Sequence, residues 1–325
     1  MIRIEHASDV GMARRLAREL ADAAGLDEED VGRAALVTTE VATNLVRHAE
    51  SGTIFVRRLD DAEGKGVEIL AVDRGPGMAN VASFMADGVS TRGTPGQGLG
   101  ALKRMADTCT IDSRPGEGTI VALQVRNGTA SRMPMAVGGL TAPIAPDGCG
   151  DAFAVDAKGA GGGVIMIDGL GHGADAAAAA ERAVECFHVR IQVDLKTLFE
   201  DLNRALSQTR GAAIAVAEIQ PRDRIVRYMG VGNISGLLIS GGRVRNMVSH
   251  NGIVGHTMRR LQQFEYPIET DVTVILHTDG IGTRWQAASL AERGLVHPSI
   301  IAGHLWRSEA RGRDDAGIAV VRGRT

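Results

Sequence analysis

Apolar residues near the start of the chain recur at intervals of three and four, which predicts two amphipathic helices. Asp9 is placed to cap the first helix and Gly25 to stop it, and the second helix begins near Asp27. The apolar stripe of the second helix consists of Ala34, Val37, Val41 and Leu45. The elements predicted next are strands at 53–59 and 67–73, a helix near 98–106, and strands near 108–113 and 119–125.

Periodicity fails from Asn127 to Met135, where polar and turn-forming residues predict a linker. We therefore predict a domain at 1–128, a linker at 129–135 and a second domain at 136–325. The second domain contains predicted strands at 149–155, 163–168, 212–219, 225–230, 236–239, 272–277 and 317–321, and helices at 174–189, 195–208 and 298–308. Because helices come in pairs between strands, the predicted class is α+β rather than doubly wound.

Composition excludes several classes of protein. The 325 residues, 44% of them hydrophobic, are enough for two domains with sizeable cores. A net charge of −3 and an aromatic content of 3% argue against nucleic acid or an acidic membrane as the partner. No apolar run is long enough for a transmembrane helix, and the start of the chain does not resemble a signal peptide. The three widely spaced cysteines fit a reducing cytoplasm.

Four short motifs in the first half together indicate a nucleotide pocket. Glu40 and Asn44 lie four residues apart on one helix face, where they could hold a water and a magnesium ion or form an ordinary polar edge. The segment 73–78 places an acid and a Gly-x-Gly turn at a strand end. The glycine-rich loop at 93–100 leads into a helix, whose N-terminus can bind phosphate, and the segment 116–119 starts a strand.

In their order and spacing, these motifs resemble the GHKL ATPase superfamily, and the segments 87–91 and 102–105 resemble its RsbT-type switch serine kinases. The resemblance implies a Bergerat-type ATP-binding α/β sandwich. It implies Glu40 as the general base, Asn44 as a magnesium ligand and Asp73 as the adenine contact. The other residues that it implies around ATP are Gly75, Gly77, Arg92, Gly96, Gly98, Gly100 and Thr119.

Acids at predicted strand ends mark a second candidate site, in the C-terminal half. The apolar run 164–167 enters Asp168 and the turn Gly169-Leu170-Gly171-His172-Gly173. A strand-end acid beside an exposed glycine carbonyl suits a hard divalent cation, although a plain strand-to-helix turn would read the same way. The candidate partner acids are Asp151, Asp279, Asp314 and Asp315. Four such carboxylates can hold two divalent cations that activate a water for attack on a phosphoryl group.

This second set of motifs resembles the type 2C metal-dependent serine/threonine phosphatases, in their SpoIIE branch and RsbX type. The resemblance implies an α-β-β-α sandwich with Mg²⁺ or Mn²⁺ bound by Asp151, Asp168, the Gly169 carbonyl, Asp279 and Asp314, with Asp315 as the alternative to Asp314. Asp168 and Asp279 are central to the expected catalysis. One departure concerns the residues after Asp151, which are Ala152-Phe153-Ala154 where many members of the branch have an acid and aromatics.

Together the resemblances imply a two-domain regulator of a partner-switching stress or sigma-factor pathway. Its expected substrate is a STAS-domain anti-sigma antagonist protein phosphorylated on Ser or Thr, and a downstream phosphatase or sigma-factor regulator is a further possible partner. Two alternatives stay open for the N-terminal half: a nucleotide-dependent partner-binding module without kinase activity, and a simple ATPase. The sequence leaves the oligomeric state open.

Overall fold

A computed structural model describes residues 1–49, 51–61, 64–85, 99–127, 135–156, 161–190, 193–258 and 260–323. The chain divides into two compact units, Met1–Arg132 and Met133–Thr325. Of the predicted linker only Met135 is described, and it is the first residue of a strand. None of the helices in the described ranges is both long and apolar enough to cross a membrane.

The first unit is a layer of helices on an antiparallel five-stranded sheet, with strand order β1-β2-β3-β5-β4. Its strands are Ile2–Ile4 (β1), Gly52–Asp61 (β2), Gly64–Asp73 (β3), Thr108–Arg114 (β4) and Gly118–Asn127 (β5). Its helices are Ala7–Ala23 (α1), Glu28–His48 (α2), Val81–Met85 (α3) and Leu99–Met105 (α4). Alternate residues of β3 (Val67, Ile69 and Ala71) share one core with the buried stripe of α2, as the apolar pattern predicts.

The two long helices begin in different ways. Asp27 caps α2 by accepting a hydrogen bond from the backbone N–H of Asp30, so the helix begins where the sequence predicted. The prediction that Asp9 caps α1 is wrong, because α1 begins at Ala7 and Asp9 lies in its first turn. From there the Asp9 carboxylate accepts hydrogen bonds from the backbone N–H groups of Glu5 and His6, so the acid satisfies orphan donors from inside the helix.

The second unit contains two five-stranded sheets, with strand orders β13-β10-β9-β8-β7 and β12-β11-β14-β15-β6. Its strands are Met135–Ala142 (β6), Asp151–Asp156 (β7), Gly162–Gly169 (β8), Ala212–Gln220 (β9), Ile225–Val231 (β10), Ser235–Ser240 (β11), Arg243–Met247 (β12), Phe264–Pro267 (β13), Val272–His277 (β14) and Ala316–Gly323 (β15). Its helices are Ala174–Arg190 (α5), Leu195–Leu206 (α6), Ala287–Glu292 (α7) and Pro298–Glu309 (α8).

Burial of β8 on both faces explains the layering of this unit. Val164 and Met166 belong to the core shared by the two sheets, whereas Ile165 and Ile167 pack with α5 and α6 on the outer face. Helix α8 packs against β6 and β15 on the other sheet. The layers are therefore helix, sheet, sheet and helix, and the predicted α+β class and α-β-β-α sandwich are confirmed.

Two candidate functional sites

Asp73 lies at the C-terminal end of β3, where its carboxylate is fixed by two backbone groups of the first unit. Asp73 Oδ1 accepts hydrogen bonds from the N–H of Gly75 at 2.8 Å and from the N–H of Thr119 at 3.0 Å. The first bond closes the turn after β3, and the second ties that turn to the start of β5. The sequence-predicted residues Asp73, Gly75 and Thr119 are thus brought together by direct contacts.

The Gly-x-Gly turn after Asp73 needs glycine because other backbone lies close to it. A Cβ at Gly77, whose φ is +67°, would lie 1.9 Å from the carbonyl oxygen of Arg114. A Cβ at Gly75 would lie 2.9 Å from the carbonyl oxygen of His48, the last residue of α2. The turn is therefore held between β4 and the end of the helix that carries Glu40.

Ser113 on β4 joins this network, although no sequence signal singles out a lone hydroxyl in a strand. Its Oγ accepts a hydrogen bond from the N–H of Met78 at 2.8 Å and lies 2.9 Å from Thr119 Oγ1. Ser113 therefore connects the turn that follows Asp73 to the strand that carries Thr119.

Glu40 and Asn44 are half-buried on α2, and Gly100 is buried in α4. Burial raises the pKa of the Glu40 carboxyl above its ordinary value, and the charge of Arg47 opposes that rise. A raised pKa suits a group that exchanges protons. Arg92, Gly96, Gly98 and the segment 87–91 lie outside the described residues.

Asp151 and Asp168 of the second unit face each other across the antiparallel pair β7–β8. Burial, followed by the charge of Asp168, raises the pKa of Asp151 to about 8, against a hydrogen bond from Thr278 that lowers it. Burial, followed by the charges of Asp279 and Asp314, raises the pKa of Asp168 to about 7. These acids from separate strands therefore lie close enough to repel one another.

The other two predicted ligands flank strands of the second sheet. Asp279 follows β14, and its Oδ2 accepts a hydrogen bond of 2.8 Å from Asn233 Nδ2. Asp314 precedes β15 and is exposed. Asn233 lies between β10 and β11, so its contact with Asp279 joins segments that no local pattern could connect.

Asp314 and Asp315 have different surroundings. The Asp315 side chain is 3% exposed, and its two oxygens accept hydrogen bonds from the N–H groups of Ile144 at 2.7 Å and Gly150 at 2.6 Å. Those two bonds tie Asp315 to the segment that leads into Asp151, whereas Asp314 faces solvent. The choice of Asp314 as the metal ligand stays a prediction.

The donor chemistry of this acidic site fits divalent cations. Its side chains offer only oxygen, which Mg²⁺ and Mn²⁺ prefer, and their mutual repulsion is of the kind that a cation relieves. In the described part of the chain, no three His, Cys, Asp or Glu side chains are gathered closely enough to hold a metal ion as they stand. At least one carboxylate of the cluster would therefore have to turn toward a bound ion. Two residues of the predicted turn after Asp168 are also described. The Gly169 N–H donates a hydrogen bond to the Gly150 carbonyl oxygen, and His172 is exposed to solvent.

Different families of known proteins match the two halves of the chain. Residues 5–125 match the family model of the histidine kinase-like ATPase domain, and residues 159–291 match that of stage II sporulation protein E. The serine/threonine-protein kinase RsbT of Bacillus subtilis (strain 168) is 36% identical over 118 residues, which are 36% of this chain and 89% of that protein. Through this region, the chain belongs to the RsbT family.

Solved structures extend the comparison beyond the RsbT-like domain. A chain from a structure of the bacterial stressosome is 25% identical, with a TM-score of 0.55 over 58% of this chain and 99% of that chain. The PP2C phosphatase domain of SpoIIE from Bacillus subtilis, with a fragment of its regulatory domain, is 16% identical and shares the fold, with a TM-score of 0.50 over 98% of this chain and 92% of that one. The protein thus joins an RsbT-like kinase-like domain to a domain that matches the SpoIIE family model and has the fold of the PP2C phosphatases, which together support its assignment as an enzyme.

Proposed function

We propose that the second unit hydrolyses the phosphate monoester of a phosphorylated STAS-domain antagonist protein, and that the first unit binds Mg-ATP and acts as a serine kinase. The observation that supports the phosphatase proposal most strongly is the acidic site, where Asp151 and Asp168 face each other and interact electrostatically with Asp314. The similarity of the first unit to RsbT supports a role for both activities in a partner-switching pathway.

In the proposed hydrolysis, Asp151, Asp168, the Gly169 carbonyl, Asp279 and Asp314 would hold two divalent ions. Such ions, when bound, supply an activated water and neutralise charge on the phosphoryl oxygens. The water oxygen forms a bond to phosphorus as the ester P–O bond breaks, a proton of the water ends on the serine or threonine oxygen, and inorganic phosphate is released. Asn233 would orient Asp279 through the hydrogen bond between their side chains.

In the proposed kinase unit, Asp73 would accept a hydrogen bond from the adenine amino group, and Glu40 would take the proton from the attacking hydroxyl. Asn44 would contribute an oxygen to Mg²⁺ on the same face of α2 as Glu40. The fixed Asp73 carboxylate supports this assignment, because the backbone N–H groups of Gly75 and Thr119 hold it in place.

Hydrolysis of p-nitrophenyl phosphate and of a phosphorylated STAS protein by the full chain tests the phosphatase proposal. We expect activity with manganese and its loss in EDTA. Asp168→Asn and Asp279→Asn should each lower the hydrolysis rate by at least about a hundredfold, which is more than the loss typical when a metal ligand loses its hydrogen-bond partner. Asp223→Asn, on an exposed turn, is the matched control and should retain activity. Hydrolysis that survives EDTA, or full activity in both site variants, would contradict the two-metal assignment.

A further inference from the structure

Thr278, between β14 and Asp279, is a hydroxyl that the proposed reaction does not use. Its side chain is fully buried, and a buried hydroxyl is costly unless it is hydrogen-bonded. Thr278 Oγ1 accepts a hydrogen bond from the Gly317 N–H at 2.9 Å. Since that N–H can only donate, the single hydroxyl hydrogen is directed to Asp151 Oδ2, at 2.5 Å.

Gly317 also lies against the Asp151 side chain. A Cβ at Gly317 would lie 3.3 Å from both Cβ and Oδ2 of Asp151, so β15 passes close to the oxygen that Thr278 holds. The backbone before Asp151 is held separately, because the Gly150 N–H donates to Asp315 Oδ2. Asp151 therefore has a fixed backbone and one oxygen tied to Thr278, which leaves Oδ1 as the oxygen suited to an ion.

We propose that Thr278 is a positioning residue that orients Asp151 for metal binding. This inference rests on the proposed phosphatase function. The mechanism is the one by which outer-shell hydrogen bonds orient metal ligands, where loss of the partner typically lowers metal affinity about 10–100-fold. The hydroxyl is the essential feature: a serine can make both bonds, and a valine of the same shape can make neither.

Calorimetric titration of the full chain with manganese chloride, in the absence of nucleotide, tests the proposal without relying on turnover. Wild type should bind manganese and Asp168→Asn should lose that binding. We expect Thr278→Val to bind about tenfold more weakly or worse, and Thr278→Ser to stay close to wild type. In p-nitrophenyl phosphate assays, Thr278→Val should need a correspondingly higher manganese concentration for half-maximal activity.

Ser249→Ala separates positioning from general loss of stability. Ser249 Oγ lies 2.8 Å from the hydroxyl of the buried Tyr228 in the same unit, so its removal also deletes a hydroxyl hydrogen bond. This variant should lower the thermal midpoint and leave manganese affinity unchanged. If Thr278→Val does not fold, the comparison of Thr278→Ala with Thr278→Ser tests the same hydroxyl.

The outcomes distinguish the two proposals. Failure of wild type to bind manganese would overturn the phosphatase assignment and this inference together. If wild type binds and Thr278→Val binds equally well, only the positioning role is overturned. The same conclusion follows if serine fails to restore affinity, or if Ser249→Ala weakens manganese binding as much as Thr278→Val does.

Discussion

The Gly150 N–H donates a 2.6 Å hydrogen bond to Asp315 Oδ2, although the two residues are 165 positions apart. Asp315 also accepts a hydrogen bond from the Ile144 N–H, so it joins the segment before β7 to the start of β15. The adjacent Asp314 is exposed. Two consecutive aspartates therefore have different surroundings: Asp315 holds backbone, and Asp314 is open to solvent, where we propose that it binds the ions.

That division predicts different defects in Asp314→Asn and Asp315→Asn. An asparagine at 315 places an NH₂ against a backbone donor, and we expect a loss of about 2 kcal/mol in the free energy of unfolding. Asp314→Asn should unfold like wild type but bind manganese more weakly. Urea unfolding together with manganese titration of both variants measures the difference. Loss of stability in Asp314→Asn and none in Asp315→Asn would reverse the assignment.

The facing pair Asp151 and Asp168 predicts a pH dependence of stability in the absence of metal. Both pKa values are raised from 3.8, to about 8 and about 7, so the folded chain holds protons that the unfolded chain releases. Their contribution to stability is complete below pH 4 and is lost as pH rises toward 8. Asp168→Asn removes one titrating group and its repulsion, so its stability should fall less between pH 5 and pH 8.

Thermal unfolding of the full chain in EDTA at pH 5 and pH 8 measures this effect. The transition to follow is the one whose midpoint shifts when manganese is added in place of EDTA. Asp223→Asn, at an exposed turn, should behave like wild type. Equal losses of stability in wild type and Asp168→Asn would show that burial and neighbouring charges do not raise the pKa of Asp168 in the folded chain.

Gly77 and Gly116 offer a matched pair for the turn after Asp73. Both have positive φ, +67° and +76°, but only Gly77 lies against other backbone, and a Cβ at Gly116 would meet nothing within 4 Å. Gly116→Ala should therefore cost about 1–2 kcal/mol of conformational strain. Gly77→Ala should cost about 1–3 kcal/mol more through overpacking, and should weaken ATP binding. Chemical unfolding and ATP titration measure both effects, and equal costs would argue against the close approach to Arg114.

The base assignment predicts that Glu40→Gln separates ATP binding from phosphoryl transfer. The amide keeps the shape of the side chain but cannot take a proton, so transfer should fall about 10²–10⁴-fold. The ATP-induced rise in thermal midpoint should persist. Labelled ATP and a STAS protein provide the assay, with the exposed Glu19→Gln as control. ATP binding by wild type without transfer to the STAS protein would favour the partner-binding module instead.

The sequence predicted most of the elements because their apolar residues follow the helix and strand periods. It also placed Asp151, Asp168, Asp279 and Asp314 at strand ends, since each adjoins an apolar run. Short strands such as Arg243–Met247 were missed, because their charged residues give no apolar alternation. The cap of α1 was misplaced because a capping-box acid and an N-cap acid look alike in sequence.

Contacts between distant segments were beyond the sequence for a different reason. The roles of Ser113, Asn233 and Thr278 depend on which strands and loops become neighbours, and a single polar residue in a strand does not reveal its partner. The different surroundings of Asp314 and Asp315 likewise depend on bonds to a segment more than a hundred residues away.

The order β12-β11-β14-β15-β6 places the first strand of the second unit at a sheet edge, with the last strand as its neighbour. During synthesis, β6 leaves the ribosome early and has no partner in its sheet until β15 has been translated. The two-sheet core can therefore close only after the whole unit has been made, and such non-local pairing is slow to form. A chain terminated before Asp315 would lack both the partner of β6 and the anchor of Gly150, and would carry an RsbT-like domain without the complete proposed phosphatase site.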